Sequence, residues 1–358
     1  MNNFGYSSAR AVDAALAQLG PVPEGLVPAA RADGQGKFVA GGTNLLDLMK
    51  ENVMRPAHIV DINALPLDGI EITPEGGLRL GALARNADTA YHAGVAAQYP
   101  LLASAILAGA SPQIRNMASN GGNLLQRTRC YYFYDTGVPC NKREPGSGCP
   151  ASTGLARQHA ILGASEHCVA THPSDMCVAL AALDASVHVT SPRGGRVIAF
   201  ADFHRLPGDT PHIDTTLAAD ELITHISLPP ASQFAPHSAY LKLRDRASYA
   251  FALVSVAAAL HIEGGMVREA RIAVGGVAHK PWRSREAEDL LVGQPAGAAA
   301  FERAAAVLLR DARACGTGLG SNAFKIPMGR RAVIRALETA QNGTVTNTGD
   351  NVLEQGAA

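Results

Sequence analysis

Apolar residues recur at helical spacing through SARAVDAALAQL (8–19), which predicts a helix with a serine at its start. KFVAGGTNLLDLMKENV (37–53) runs from a short apolar strand through Gly-Gly into an amphipathic helix, and HIVDI (58–62) is a β-branched strand. Together they predict a βαβ-like unit over residues 1–60 with a glycine-rich crossover. Short strands follow at GIEIT (69–73) and GLRLGAL (77–83), then helical segments at ADTAYHAGVAAQ (87–98) and PLLASAILAGA (100–110). SVHVTSP (186–192), RVIAF (196–200) and ELITHISLP (221–229) read as strands, and Pro229-Pro230 closes a second unit, 61–230. Beyond it, YLKLRDR (240–246), FALVSVAAALHIEGG (251–265) and VREARIAVGGVAHKPWR (267–283) read as longer strands joined by Gly-Gly turns, an antiparallel sheet. Helices follow near 298–314 and 328–340, so 231–340 reads as a separate α+β domain. The tail, 341–358, ends in polar, aperiodic TVTNTGDNVLEQGAA and is expected to be disordered. No repeat at a solenoid period is visible.

The pattern loses its period in RCYYFYDTGVPCNKREPGSGCPA (129–151), where four consecutive aromatics follow one cysteine and two more cysteines are spaced through a Pro/Gly-rich segment. Composition narrows what this can serve. Lys+Arg and Asp+Glu are both 31, so the formal charge is zero, and the basic excess of a nucleic-acid binder is missing. Lys142-Arg143 is too short a run to change that. The N-terminus lacks a basic region followed by an apolar core, and no apolar run reaches the ~18 residues that span a bilayer. A soluble chain without an export signal of its own and without membrane insertion is expected. Six cysteines in so long a chain favour a reducing compartment over a disulfide scaffold.

Three small-residue elements stand out among 36 glycines. AGGTNLLDLMK (40–50) sets Gly41, Gly42 and Thr43 at a strand-to-helix turn, where backbone N–H groups and a helix start favour a pyrophosphate. It fits neither GxGxxG nor a Walker loop, and a plain tight turn explains it equally. GASPQIRNMASNGGNL (109–124) holds a second such turn at Ser119–Asn123, and ATHPSDM (170–176) a third, with Asp175 after Pro-Ser. Four cysteines, Cys130, Cys140, Cys149 and Cys168, fall between the second and third elements. No pair has C-x-x-C spacing, which disfavours a zinc ribbon. Disulfides, structural thiols and a [4Fe–4S] site all remain open on spacing alone. Cys177 heads the apolar run MCVALAAL and reads as a buried hydrophobe; Cys315 carries no functional sign. His172 is expected to support the Ser-Asp turn. No Ser/His/Asp order, H-E-x-x-H motif or carboxylate pair suggests a hydrolase.

Taken in order, Gly-Gly-Thr-Asn, then IRN…GGNL, then Ser-Asp, with KLRDRASYAFALVSVAAAL (242–260) behind them, the chain resembles the FAD-binding medium subunits of the molybdenum hydroxylases, the family of xanthine dehydrogenase and carbon monoxide dehydrogenase. The resemblance spans nearly the whole chain, leaving out the tail and an insertion near Pro21–Gly36. It implies an α+β fold: a two-part FAD-binding domain of the vanillyl-alcohol-oxidase type and a C-terminal domain like that of carbon monoxide dehydrogenase flavoprotein. Carried over by position, Lys37, Phe38, Val39, Ala40, Gly41, Gly42, Thr43, Asn44 and Leu45 wrap the FAD pyrophosphate. Ser119, Gly121, Gly122 and Asn123 contact the cofactor, Asp175 bonds the adenosine part, and Ile223 and Lys242 line the flavin.

Most members pass almost directly from GGNL to the Ser-Asp turn, whereas here the insertion at about 125–170 intervenes. It resembles the [4Fe–4S] loop of 4-hydroxybenzoyl-CoA reductase and, more closely, of bacterial molybdenum aldehyde oxidoreductases. On that resemblance Cys130, Cys140, Cys149 and Cys168 are the ligands. Tyr131–Tyr134 either cover the cluster or only pack the loop onto the domain. The implied function is electron transfer. A large partner holds molybdopterin and oxidises an aldehyde, a small partner holds two [2Fe–2S] clusters, and electrons reach FAD and then an external acceptor. The rivals are a 4-hydroxybenzoyl-CoA-reductase-like subunit, a stand-alone FAD enzyme resembling UDP-N-acetylenolpyruvoylglucosamine reductase with structural cysteines, and a cluster-carrying scaffold without flavin. Cytoplasmic assembly is expected, with periplasmic co-export open if a partner carries the signal.

Overall fold

The computed structural model describes residues 1–20 and 36–344; most of the insertion expected near Pro21–Gly36 and the tail from 345 lie outside the described residues. The described residues form three sheets. The first is parallel and joins β1 (Gly5–Ser8), β2 (Gly36–Val39) and β3 (His58–Asp61) in the order β1-β3-β2. Ile59 and Val60 of the central strand are buried, as its β-branched character dictates. Strand β1 was not legible, because GYSS is short, polar and largely exposed, and only its ladder to β3 makes it a strand. Ser8 therefore ends a strand rather than starting a helix. The helix begins at Val12, with Ala11 at its N-cap and no side-chain cap.

The second sheet is antiparallel: β4 (Ile70–Ile72), β5 (Leu78–Gly81), β6 (Ser186–Ser191), β7 (Gly194–Ala199) and β8 (Leu222–Leu228), in the order β4-β5-β8-β6-β7. Two almost wholly apolar helices, Pro100–Ala108 and Asp175–Ala182, pack in its core, and Cys177 is fully buried among them. The third sheet is β12-β11-β10-β9, built from β9 (Ser238–Leu243), β10 (Val254–Glu263), β11 (Met266–Gly275) and β12 (Trp282–Arg283). Gly264 and Gly265 both sit at positive φ, the backbone a two-residue hairpin needs. Alternation along β10 gives each face its own core. Val254, Val256, Ala258 and Leu260 meet Phe301, Val333 and Leu337 of the helices Ala298–Leu308 and Lys325–Gln341. Ala257 and Ala259 face the core of the second sheet. The Pro-Pro break is thus a break in sequence but not in packing.

The cysteine-bearing segment is ordered by polar side chains rather than by period. Arg143 donates to the Tyr132 and Phe133 carbonyls at 2.6 and 2.8 Å, and also to that of Val138. Asn141 bridges the Gly148 N–H and the His167 carbonyl. The four aromatics form one helical turn, Tyr131–Tyr134, where the aperiodic sequence predicts a loop.

Candidate functional site

A cavity of about 1610 Å³ opens where the parallel sheet, the second sheet and the cysteine-bearing segment meet. That exceeds the ~300–1,000 Å³ of sites for drug-sized ligands and suits a dinucleotide-sized molecule. All nine residues Lys37–Leu45 line it, as do Ser119, Gly121, Gly122, Asn123, Asp175 and Ile223. Lys242 does not; it lies behind Asp175.

The turn after β2 is made for close approach. A Cβ on Gly41 would fall 1.8 Å from the Met117 carbonyl oxygen, so only glycine fits, and Gly42 holds a positive φ of 71°. Among the described residues, no backbone N–H of Gly41, Gly42, Thr43 or Asn44 donates to another group. Asn44 accepts from the Arg127 N–H at 3.0 Å, while its own Nδ2 is buried without a partner. Buried donors are ordinarily satisfied, and Asn44 Nδ2 is one that is not; with the four unpaired backbone N–H groups beside it, the turn is rich in donors. A pyrophosphate fits it.

The opposite wall starts at the short helix Asn120–Leu124, capped by Ser119, whose Oγ accepts from the Gly122 N–H. Gly121 packs against Ala82, where a Cβ would come within 3.0 Å. The Asn123 carboxamide accepts from Ser174 and Gln126 and donates to Asn86, tying the second and third glycine elements together. The Asp175 carboxylate is taken up by Tyr240 at 2.7 Å and Lys242 at 2.8 Å, and Lys242 also donates to the Ala108 carbonyl. Lys242 thus orients Asp175 rather than facing the cavity.

Several lining residues carried no sequence signal because they converge only in space. Burial would raise the Asp214 carboxyl, but Lys142 and Arg127 beside it, at 2.5 and 2.8 Å, hold it well below the usual range. Tyr134 and Arg129 meet at Asp47. His204, pressed against His172 and donating to the Leu124 carbonyl, is driven by burial down to about 4.

Cys130, Cys140, Cys149 and Cys168 converge on one small cavity beside this one, with Tyr132 and Phe133 on its wall. All four are free thiols. The aromatic turn is divided: Phe133 is fully buried over the cysteines, Tyr134 faces the large cavity and Tyr131 points outward, half exposed. Burial pushes the Cys130 thiol up to about 12, whereas Cys149 is drawn to about 6 by its hydrogen bond from Cys168. Two histidines reach the sulfurs: His159 Nε2 lies 3.0 Å from Cys130 Sγ and His279 Nε2 3.3 Å from Cys168 Sγ. Neither was singled out from sequence.

The family described as "FAD binding domain in molybdopterin dehydrogenase" matches residues 3–231, and "CO dehydrogenase flavoprotein C-terminal domain" matches residues 238–340. The chain belongs to the FAD-binding medium subunits of the molybdenum hydroxylases. It is an oxidoreductase subunit; its FAD-binding domain supplies most of the large cavity's lining, and Asp245, Arg246 and Tyr249–Phe251 of the C-terminal domain complete it. Among these medium subunits, the aldehyde oxidoreductase FAD-binding subunit PaoB of Escherichia coli is 56% identical over 77% of this chain and 84% of its own. The glyceraldehyde dehydrogenase medium chain of Sulfolobus acidocaldarius is 29% identical over 72% and 73%. A carbon monoxide dehydrogenase structure from Hydrogenophaga pseudoflava superposes with a TM-score of 0.72 at 25% identity, covering 95% of this chain and 98% of that one. No helix among the described residues is long and apolar enough to cross a membrane.

Proposed function

We propose that this chain is the FAD- and [4Fe–4S]-binding electron-transfer subunit of a heterotrimeric molybdenum-dependent aldehyde oxidoreductase. Its partners are a large molybdopterin-binding subunit, where the aldehyde is oxidised, and a small subunit with two [2Fe–2S] clusters, and it is assembled in the cytoplasm. The co-export alternative gains no support from this chain. The observation that carries the reading is the pair of neighbouring cavities, one lined by a turn of free N–H groups and one by four thiols. The 56% identity to an aldehyde oxidoreductase FAD-binding subunit favours an aldehyde as the complex's substrate.

The residues fit both groups. The Gly41–Asn44 N–H groups and Asn44 Nδ2 would hold the pyrophosphate, with Ser119, Gly121, Gly122 and Asn123 opposite. Asp175, fixed by Lys242 and Tyr240, would meet the adenosine part, and Ile223 would pack at the flavin. Bound FAD supplies exchange between one-electron clusters and a two-electron acceptor; the chain's own part is to bind, orient and shield. For the cluster, four thiols around one cavity are the donor set an iron–sulfur cube takes. Among the described residues, three or more metal-ligating atoms lie within 4.8 Å of one another at His172, Cys177 and His204 and at no set of three of the four cysteines, which are therefore not gathered on a single ion. The space between the four side chains is about 10 Å³.

The test is the absorption spectrum with iron and sulfide content of the complex purified anaerobically. Flavin bands superposed on broad iron–sulfur absorbance, with about four irons beyond those of the partner's clusters, are expected. Iron accounted for by the partner alone would leave a flavin subunit with structural cysteines.

A further inference from the structure

We propose that His159 and His279 tune the reduction potential of the cysteine-held cluster, each donating its single ring N–H to a ligating sulfur. The inference rests on the cluster reading above. His159 Nε2 is 3.0 Å from Cys130 Sγ and His279 Nε2 is 3.3 Å from Cys168 Sγ. Both residues are buried, and in both the other ring nitrogen, Nδ1, is buried without a partner. A neutral imidazole has one N–H and one acceptor nitrogen. A proton on Nδ1 would have no acceptor in a dry environment, an expensive arrangement. The proton therefore belongs on Nε2, where sulfur accepts it.

The two rings are held by the C-terminal part of the chain. Lys325 is fully buried and donates to the His159 carbonyl at 2.8 Å and the Gly276 carbonyl at 2.5 Å. Asn322 also donates to the His159 carbonyl, at 3.1 Å. His279 follows β11, and the neighbouring Ala278 carbonyl accepts from the His172 N–H at 3.0 Å. Among the described residues no carboxylate pairs with Lys325. Burial pulls the Lys325 ammonium down to about 7, and an anionic cluster beyond His159 would favour its charged form. Reduction adds one electron to the cluster and its sulfurs and moves no proton. N–H donors on the sulfurs stabilise the more negative, reduced form and so raise the potential.

The experiment is a dithionite titration of the anaerobically purified complex, following the reduced cluster by electron paramagnetic resonance. His159→Leu and His279→Leu should each lower the cluster's midpoint potential, and the double variant should lower it further. His159→Gln, whose amide nitrogen can reach the same sulfur, should recover most of the loss, which a purely packing role would not predict. An unchanged potential in a leucine variant that keeps its iron overturns the proposal. Should the leucine variants lose iron, the wild-type complex decides. With 15N-histidine incorporated, pulsed measurements on the reduced cluster should reveal two coupled ring nitrogens, and finding none overturns it. A wild-type complex without this cluster's iron and sulfide would instead sink the cluster reading, and the inference with it.

Discussion

The large cavity is built from backbone and the small one from side chains. Gly41–Asn44 offer free N–H groups, and what matters there is the absence of a Cβ. Cys130, Cys140, Cys149 and Cys168 offer sulfur, and what matters there is four particular side chains. On the proposed reading the first site should tolerate changes of side chain but not of bulk, and the second no change of donor. The two walls are nonetheless continuous, since Asp214 pairs with Arg127 from one side and Lys142 from the cysteine segment.

That contrast yields opposite outcomes for small substitutions. Gly41→Ala drives a methyl into the Met117 carbonyl, which would lie 1.8 Å from it. Overpacking of this kind costs about 1–3 kcal/mol, and bound FAD measured by absorbance should fall below about a tenth while the iron content holds. Loss of both cofactors together would mean that the sites are not separable. Next in size, Cys168→Ser or Cys130→Ser should abolish the cluster's iron and sulfide and largely spare FAD. Cys177→Ser, in the apolar core, should do neither.

A subtler variant asks whether Asp175 belongs to the backbone-built site or only to the core behind it. Lys242→Met strands a buried carboxylate with Tyr240 as its remaining partner. Breaking a buried pair costs ~3–5 kcal/mol, to be read by denaturant unfolding. If Asp175 also positions the cofactor, the FAD dissociation constant should rise about tenfold, a difference of ~1.4 kcal/mol. Unfolding that shifts while FAD affinity does not would confine Asp175 to packing.

How much was legible follows the same division. Gly41, Gly42 and Asn44 could be read because a strand, a Gly-Gly turn and a helix leave a local pattern, and the β10–β11 hairpin because Gly-Gly sits between alternating strands. Strand β1 was missed because its ladder to β3, over fifty residues away, defines it, not its polarity. The cysteines were visible as residue types, but their spacing carried no period, and only the family resemblance gathered them. His159, His279, Lys325 and Asp214 left no trace, since each acts through partners distant in sequence. Lys242 was misplaced for a related reason: a strand lysine gives no hint that it points inward, at Asp175.

The smallest predicted effect separates the two cavities by pH. His204 lines the large cavity, packed against Phe200, Phe203 and His172, and burial lowers it to about 4. The folded chain takes up this proton only near pH 4, the unfolded chain already near the ordinary 6.5. Between those values the unfolded state binds more protons, so stability rises with pH from about 4 to 6.5 and the full contribution is present above that window. Asp214 stays charged throughout it, held down by Lys142 and Arg127. His204→Gln can keep the donor to the Leu124 carbonyl and removes the titration. Between pH 7 and 4.5 the acid loss should shrink by about 2 kcal/mol, since each pH unit inside the window carries about 1.4 kcal/mol. His159 and His225, also near 4, slope the same way, so the variant flattens only part of the curve. Unfolding curves at pH 4.5 and 7 measure it, and FAD should leave the acidified wild type before the variant. A pH profile identical in both proteins would remove His204 from the account and leave the acid sensitivity to the other lowered histidines, His212 of the same cavity among them.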